Sequence, residues 1–536
     1  MVRLLLTFVW LLLSPAIHAF TRQDSLRGEN GSGRSWWDVQ HYSLHVVFDT
    51  THRTISGQNE IRATVCNPAI DSLQLDLQEL MFLDSVLMDG RKLDFFKEGN
   101  VWWIVSNFSH LKLNEQFSIL AYYHGKPHPA KLPPWDGGFV WTTDSLHFPW
   151  NAVACQGLGA SVWWPCKDYQ GDKPDSGMIL DFISPLPLVS NGRKILERVA
   201  DTHGYHQYKY EVINPINTYN ATFYAGDYIG WYDTLMGEKG KLDLSFFVLK
   251  QHEQQARKHF EVVKQMLHCF EYWMGPYPFY EDGYKLVEAP YLGMEHQSAI
   301  AYGNQYKMGY RGLDRSGTGV GLLFDFIIVH ESGHEWFGNN VTAKDIADNW
   351  LHEGFTTYAE ALFAECGWGK EKASVYTLGE WKGITNDRPV IGPYGVNKEG
   401  SRDEYDKGAA IVHMIRSIIN DDEKFRLLLR TINSKYYHQT VTSVALEQFI
   451  SDFCHYDFSS FFDQYLRTIQ IPHFAYFIKK NKIYYRLENC IKGLKLPLTI
   501  SSGQHHILLP CSTEWQEAKW KYGFDIQVTP NFLLQL

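Results

Sequence analysis

The sequence predicts a multidomain protein of α and β class, ordered as a β domain, a mainly α domain and a small β module. Three observations predict this. Over residues 36–248, short stretches such as "YSLHVVFD" and "LQLDLQ" are separated by the turn-forming "SGQN", "PAIDS" and "MDGRK". That is the period and punctuation of mostly antiparallel strands. From there to about residue 467, apolar residues recur at helical spacing, and beyond 471 the strand pattern returns. A chain of 536 residues is also too long for a single hydrophobic core.

Each element follows from its residues. At the N-terminus, "MVRLLLTFVWLLLSPAIHAF" has one basic residue, an apolar run too short to span a bilayer, and small residues at Ser14, Ala16 and Ala19. Residues 1–19 therefore read as a cleaved signal peptide, which implies a secreted or periplasmic protein. No later segment is long and apolar enough to be a membrane span. The β domain is expected over 20–250, the helical domain over 251–467 and the small β module over 468–536. In "QHEQQARKHFEVVKQMLHCFEYWMG", Phe260, Val263, Leu267 and Phe270 share a helical stripe that stops at Gly275-Pro276. Further helices are expected over 323–337, 350–366, 407–419 and 444–454. The tail "HFAYFIKKNKIYYRLE" reads as a hairpin turning at Lys480-Asn481.

The formal net charge is −10 and no basic cluster interrupts it, which argues against nucleic acid as a partner. Eight scattered cysteines form no C-x-x-C pair, so no zinc ribbon or thioredoxin-type site is indicated. In an exported protein, Cys490 and Cys511 are the first pair expected to bond.

The chemistry concentrates in "VHESGHEWFGNNVTAKDIADNWLHEGFTTYAE". His330 and His334, four residues apart on a helix, lie one turn apart on the same face and can reach one ion. Glu353, on the next expected helix, can supply a third ligand. Two imidazoles and one carboxylate leave a fourth position open, the composition of a catalytic zinc site. Glu331 points aside from the ligand face, where a general base addresses water rather than metal. Thr357 and Glu360 share a helical face with Glu353 and are candidates to orient a ligand.

Such a site attacks any suitable carbonyl, so it does not by itself separate an endopeptidase from an exopeptidase. Upstream, "YLGMEHQSAIAYGN" places Glu295 where it can pair with a substrate's cationic α-amino group. On its residues alone, Glu295 fits a solvated loop acid equally well.

These motifs together resemble those of the gluzincin aminopeptidases, the aminopeptidase N family. That family carries G-x-M-E-N, then H-E-x-x-H, then a glutamate after eighteen intervening residues, and "HEWFGNNVT" and "WLHEGF" resemble its wording. The resemblance runs from "HYSLHVVFD" to "FFDQYLRTIQIP". It implies a saddle-like N-terminal β domain, a thermolysin-like catalytic domain and a small C-terminal β-sandwich. It also implies one Zn2+ per chain on His330, His334 and Glu353, and peptide substrates with free N-termini. Glu295, with Gly293 and Met294 beside it, then binds substrate. The segment "DEYDKGAAIVHM" resembles the family's Y-x-K-G, which assigns oxyanion stabilisation to Tyr405. "VACQGLGASVWWPCKD" resembles the segment that lends a residue to the amine site, here Gln156. The chain departs from the exopeptidase motif at Leu292 and His296, which puts substrate contacts there in question. The implied function is a zinc aminopeptidase. The alternatives are a thermolysin-type endopeptidase and an inactive peptide-binding homologue. The sequence does not set the oligomeric state, whether monomer or higher.

Overall fold

The computed structural model describes residues 20–202 and 204–535. The signal peptide expected at 1–19 lies outside the described residues.

The N-terminal β domain has two sheets. In the first, strand Trp37–Asp49 buries alternate residues and pairs antiparallel with Thr54–Val65 and parallel with Met178–Ser184. The second is four-stranded and includes Pro149–Ala154 and Phe223–Ala225. Aromatic rings fill the space between them: Phe223 packs on Phe48 at 4.7 Å and on Phe139 at 5.2 Å between centroids. These contacts join the inward faces of the two sheets into one core.

A five-stranded sheet opens the next unit, in the spatial order Tyr228–Gly237, Gly240–Leu249, Tyr284–Glu288, Ile300–Tyr302 and Gly293–Met294. The first two strands thus belong with the helical domain, ahead of the boundary expected at residue 250. A strand pair reads the same in sequence whichever sheet it joins, so pattern alone misplaces that boundary. The expected helix after 250 is two helices, Glu253–His259 and Val262–Met274, the second ending at Gly275 with φ 97°. The pattern over 323–337 folds as a shorter helix, Phe326–Gly333. Helices Trp350–Trp368, Asp406–Ile419 and Ser443–Cys454 lie where helical spacing places them.

The C-terminal module holds two three-stranded sheets. Strands His473–Lys479 and Lys482–Glu488 form the expected hairpin. Both turn residues, Lys480 and Asn481, are left-handed (φ 50° and 61°), the requirement of a tight hairpin turn.

The disulfide differs from expectation. Cys269 and Cys366 are bonded, with Cα atoms 6.1 Å apart, whereas Cys490 and Cys511 are free. Cys511 lies within His505–Ser512 of one small sheet, and Cys490 just beyond Lys482–Glu488 of the other. Among the described residues, no helix is long and apolar enough to cross a membrane.

The junction between the first two domains is polar and buried. Lys173 donates to the carbonyls of Asn339 and Asn340, and Lys285 donates back to the carbonyl of Gly192. Asn217 Nδ2 reaches the Gly338 carbonyl at 2.9 Å and Asn191 Nδ2 that of Gln297 at 2.7 Å. The bonds from Lys173, Asn217 and Asn191 end on the backbone beside one of the two motifs, so the β domain forms a wall of the site.

Candidate metal centre

Helix Phe326–Gly333 starts where Asp325 caps it, its carboxylate accepting from the amides of Ile327 (2.9 Å) and Ile328 (3.2 Å). His259, Tyr302 and Asn304 also donate to that carboxylate, which locks the cap in place. The chain turns after His334, and Gly338 (φ 125°) lets the Phe337 carbonyl lie 3.0 Å from His334 Nδ1. His330 Nδ1 is 2.7 Å from Glu360 Oε1 on the facing helix. With Nδ1 committed to an acceptor on each ring, both Nε2 atoms present lone pairs.

Those two nitrogens are 3.3 Å apart, and Glu353 Oε2 lies 3.5 Å from His330 Nε2 and 3.4 Å from His334 Nε2. Three acceptors thus converge, and Glu353 Oε2 is buried without a hydrogen-bond donor. A tetrahedral shell with bonds of about 2.0–2.1 Å has ligand–ligand edges of roughly 3.3–3.4 Å. The observed triangle fits zinc, and the three residues present no fourth protein ligand. The electrostatics agree. Burial opposes charge on His330, yet Glu353 and Glu360 pull it up to about 10. Burial also works against an ionised Glu353, but the two imidazoles hold it well below the usual carboxylate range. The point they share demands positive charge.

Glu331 lies beside the triangle rather than in it. Burial pushes its carboxyl up to about 7, against the pull of the imidazoles. Ligand atoms of Glu331, Glu295 and His334 lie within 4.8 Å of one another, so Glu295 also faces the centre. Gln156 Nε2 donates to Glu295 Oε1 at 2.6 Å, and Tyr219 OH donates to the same oxygen at 3.3 Å. The other carboxylate oxygen keeps its lone pairs for a cationic donor. Gly293 and Met294 form the edge strand next to this group. The Tyr405 ring lies parallel to His330, with centroids 6.0 Å apart.

The second ligand helix is set by close packing. A Cβ on Gly354 would fall 2.8 Å from Gly408 Cα, so helices Trp350–Trp368 and Asp406–Ile419 touch backbone to backbone. That contact brings Glu353 and Tyr405 to one side of the cleft.

Two expectations shift. The threonine at a ligand is Thr356, whose hydroxyl is 3.2 Å from His334 Nδ1, while the Thr357 hydroxyl is buried with no partner. Neighbouring helix positions differ by about 100° in direction, and spacing alone does not choose between them. His296 turns away from the centre: its Nδ1 lies 2.7 Å from Tyr224 OH, and burial lowers it to about 3. Leu292 packs into the core. These departures from the exopeptidase motif are thus taken up by packing and by the domain junction. Tyr219 and Asn339 escaped the sequence reading. Tyr219 has no motif around it. Asn339, which donates to the Glu295 carbonyl at 2.8 Å, stands in "HEWFGNN", where its nearness to His334 was a usable signal.

Comparison with known proteins places this geometry. Residues 258–465 match the Peptidase family M1 domain. Leukotriene A-4 hydrolase of Xenopus laevis is 22% identical over 445 residues, covering 77% of this chain and 68% of that protein. Leucine aminopeptidase 2-1 of Meyerozyma guilliermondii is 27% identical over 356 residues, covering 62% of this chain and 52% of that protein. The chain spans about half the length of most curated relatives it matches. Among solved structures, an M1 zinc metallopeptidase mutant from Deinococcus radiodurans, bound to a Tyr-Ser-Ala substrate, superposes with TM-score 0.66 at 19% identity. The match covers 82% of this chain and 96% of that one, so the two share a fold. With its helical domain matched and its histidine–glutamate triangle in place, the chain carries a Peptidase family M1 domain over residues 258–465.

Proposed function

We propose that the protein is an exported zinc aminopeptidase that removes single residues from peptide N-termini. One observation carries this: the Glu295 carboxylate, anchored on one oxygen by Gln156 and Tyr219, sits within 4.8 Å of His334 and Glu331 ligand atoms. An α-ammonium held there would put the first peptide bond, and no later one, at the reacting centre.

When bound to His330, His334 and Glu353, zinc would supply a Lewis acid that polarises the scissile carbonyl and acidifies water. Glu331 takes the water's proton and returns it to the leaving amine, a task suited to a carboxyl raised to about 7. Tyr405 donates its phenolic hydrogen to the developing oxyanion, and burial raises its pKa well above the usual value, so the phenol stays protonated. Glu360 and the Phe337 carbonyl hold the imidazole rings in their ligating tautomer. Export is supported by the leader-like N-terminus and by the Cys269–Cys366 bond, which favours an oxidising compartment.

The test is digestion of a peptide library, half of it N-acetylated, with and without a chelator, read by mass spectrometry. Stepwise loss from free amines only, abolished by the chelator and restored by zinc, is the expected result. Equal cutting of acetylated peptides would mean an endopeptidase, and binding without cleavage would mean an inactive homologue.

A further inference from the structure

We infer that Arg315 is a positioning residue that holds the Tyr405 phenol in register with His330. The inference rests on the proposed role of Tyr405. Arg315 belongs to no motif, yet it closes a ring of contacts around the centre. Its guanidinium lies over the Phe326 ring at 4.9 Å. Phe326 stacks on His330 with centroids 5.1 Å apart and planes 15° from parallel. His330 stacks in turn on Tyr405 at 6.0 Å and 18°. Arg315 Nη2 then pairs with Asp406 Oδ1 at 3.1 Å, and Asp406 directly follows Tyr405.

The sequence of contacts is guanidinium, benzyl ring, imidazole, phenol, and back through the next residue's carboxylate to the guanidinium. Both rings beside the imidazole are thereby fixed. The first is tied through the opening turn of the ligand helix, and the second through the opening of helix Asp406–Ile419.

Tyr405 needs this external hold. No described residue supplies a hydrogen bond to its hydroxyl, so that group is available to substrate but unanchored. Tyr405 sits at the N-cap of its helix with φ −74° and ψ −83°, outside helical geometry, and makes no side-chain cap bond. What fixes the ring is stacking on one face and the chain direction set at Asp406. The far side of Asp406 is confined as well, since a Cβ on Gly383 would fall 2.1 Å from Asp406 Oδ2. Only a planar cation can lie flat on Phe326 and also bond to Asp406; a lysine keeps the charge but loses the stack.

The experiment compares Arg315→Lys, Asp406→Asn and Tyr405→Phe, singly and in pairs with Tyr405→Phe. Readouts are kcat, KM, zinc per chain, and affinity for a phosphinic dipeptide that mimics the tetrahedral intermediate. Arg315→Lys and Asp406→Asn should each keep one zinc per chain and lower kcat about tenfold with KM little changed. Each should also weaken phosphinate binding about tenfold. In the Tyr405→Phe background, neither change should cost more than a further factor of about two. An equal penalty in both backgrounds, lost zinc, or a rise in KM at constant kcat would each overturn the inference. A near-wild-type Tyr405→Phe would instead remove the assigned role of Tyr405, and the inference with it.

Discussion

Gly293 shows how far a single atom decides this site. A Cβ there would lie 2.6 Å from Glu331 Oε1 and 2.8 Å from Ile327 Cγ2. Ile327 is locked into the ligand helix, so the Glu331 carboxylate would have to move. A misplacement of about 1 Å at a reacting group can cost about a hundredfold in rate. Gly293→Ala should therefore fold and bind zinc normally, with kcat reduced about a hundredfold. Glu331→Gln should lose roughly 10²–10⁴-fold, and adding Gly293→Ala to it should cost little more, as single-turnover kinetics on a free peptide would show. Wild-type kcat in Gly293→Ala would refute the account. At this scale, what was legible had a local period or motif behind it: the two histidines on one face, the base between them, the third ligand. Tyr219 comes from a different domain, 76 residues before Glu295, and no local pattern marks it. Thr356 was missed by one position, because periodicity identifies a face more reliably than a residue on it.

At the scale of elements, the spacing of the ligands depends on helix Trp350–Trp368, which carries Glu353 near one end and Cys366 near the other. The bond from Cys366 to Cys269 ties its far end to helix Val262–Met274 across 97 residues of sequence. No sequence signal announces a pair so far apart, whereas the Lys480-Asn481 turn is visible because its requirement is local. Closing a loop of that length restricts the unfolded chain and is worth about 2–5 kcal/mol. Cys366→Ala, or wild-type protein under reductant, should unfold at a clearly lower temperature by calorimetry. The zinc triangle is buttressed separately by the Gly354–Gly408 contact, so kcat at 25 °C should stay within about twofold of wild type. An unchanged melting temperature on reduction would show that the bond contributes nothing to stability. A large loss of kcat would show that it does more than brace the helix.

For the molecule as a whole, the site exists only while the β domain stays docked, because Gln156 and Tyr219 reach Glu295 from across the junction. Two lysines cross that junction in opposite directions, Lys173 toward Asn339 and Asn340 and Lys285 toward Gly192. Neither carbonyl partner is charged, and burial lowers each amine from 10.5 to about 7, with nearby Asp282 only partly offsetting the effect at Lys285. Between pH 7 and 10.5 the unfolded chain therefore holds a proton at each lysine that the folded chain does not. Stability rises with pH wherever the unfolded state binds more protons, so each lysine makes the fold firmer as pH increases through that window. Below pH 7 both states are protonated and the cost of burying the charge is fully present. From pH 7 to 9 the gain is on the order of 2 kcal/mol per lysine, approaching about 1.4 kcal/mol per unit once the folded amine is neutral. Lys173→Met lacks this titration. Urea midpoints measured at both values should show the wild type gaining on the variant as pH rises. A difference that stays flat or reverses would mean that Lys173 keeps its proton at the junction, and that the polar seam between the domains is better hydrated than its burial indicates.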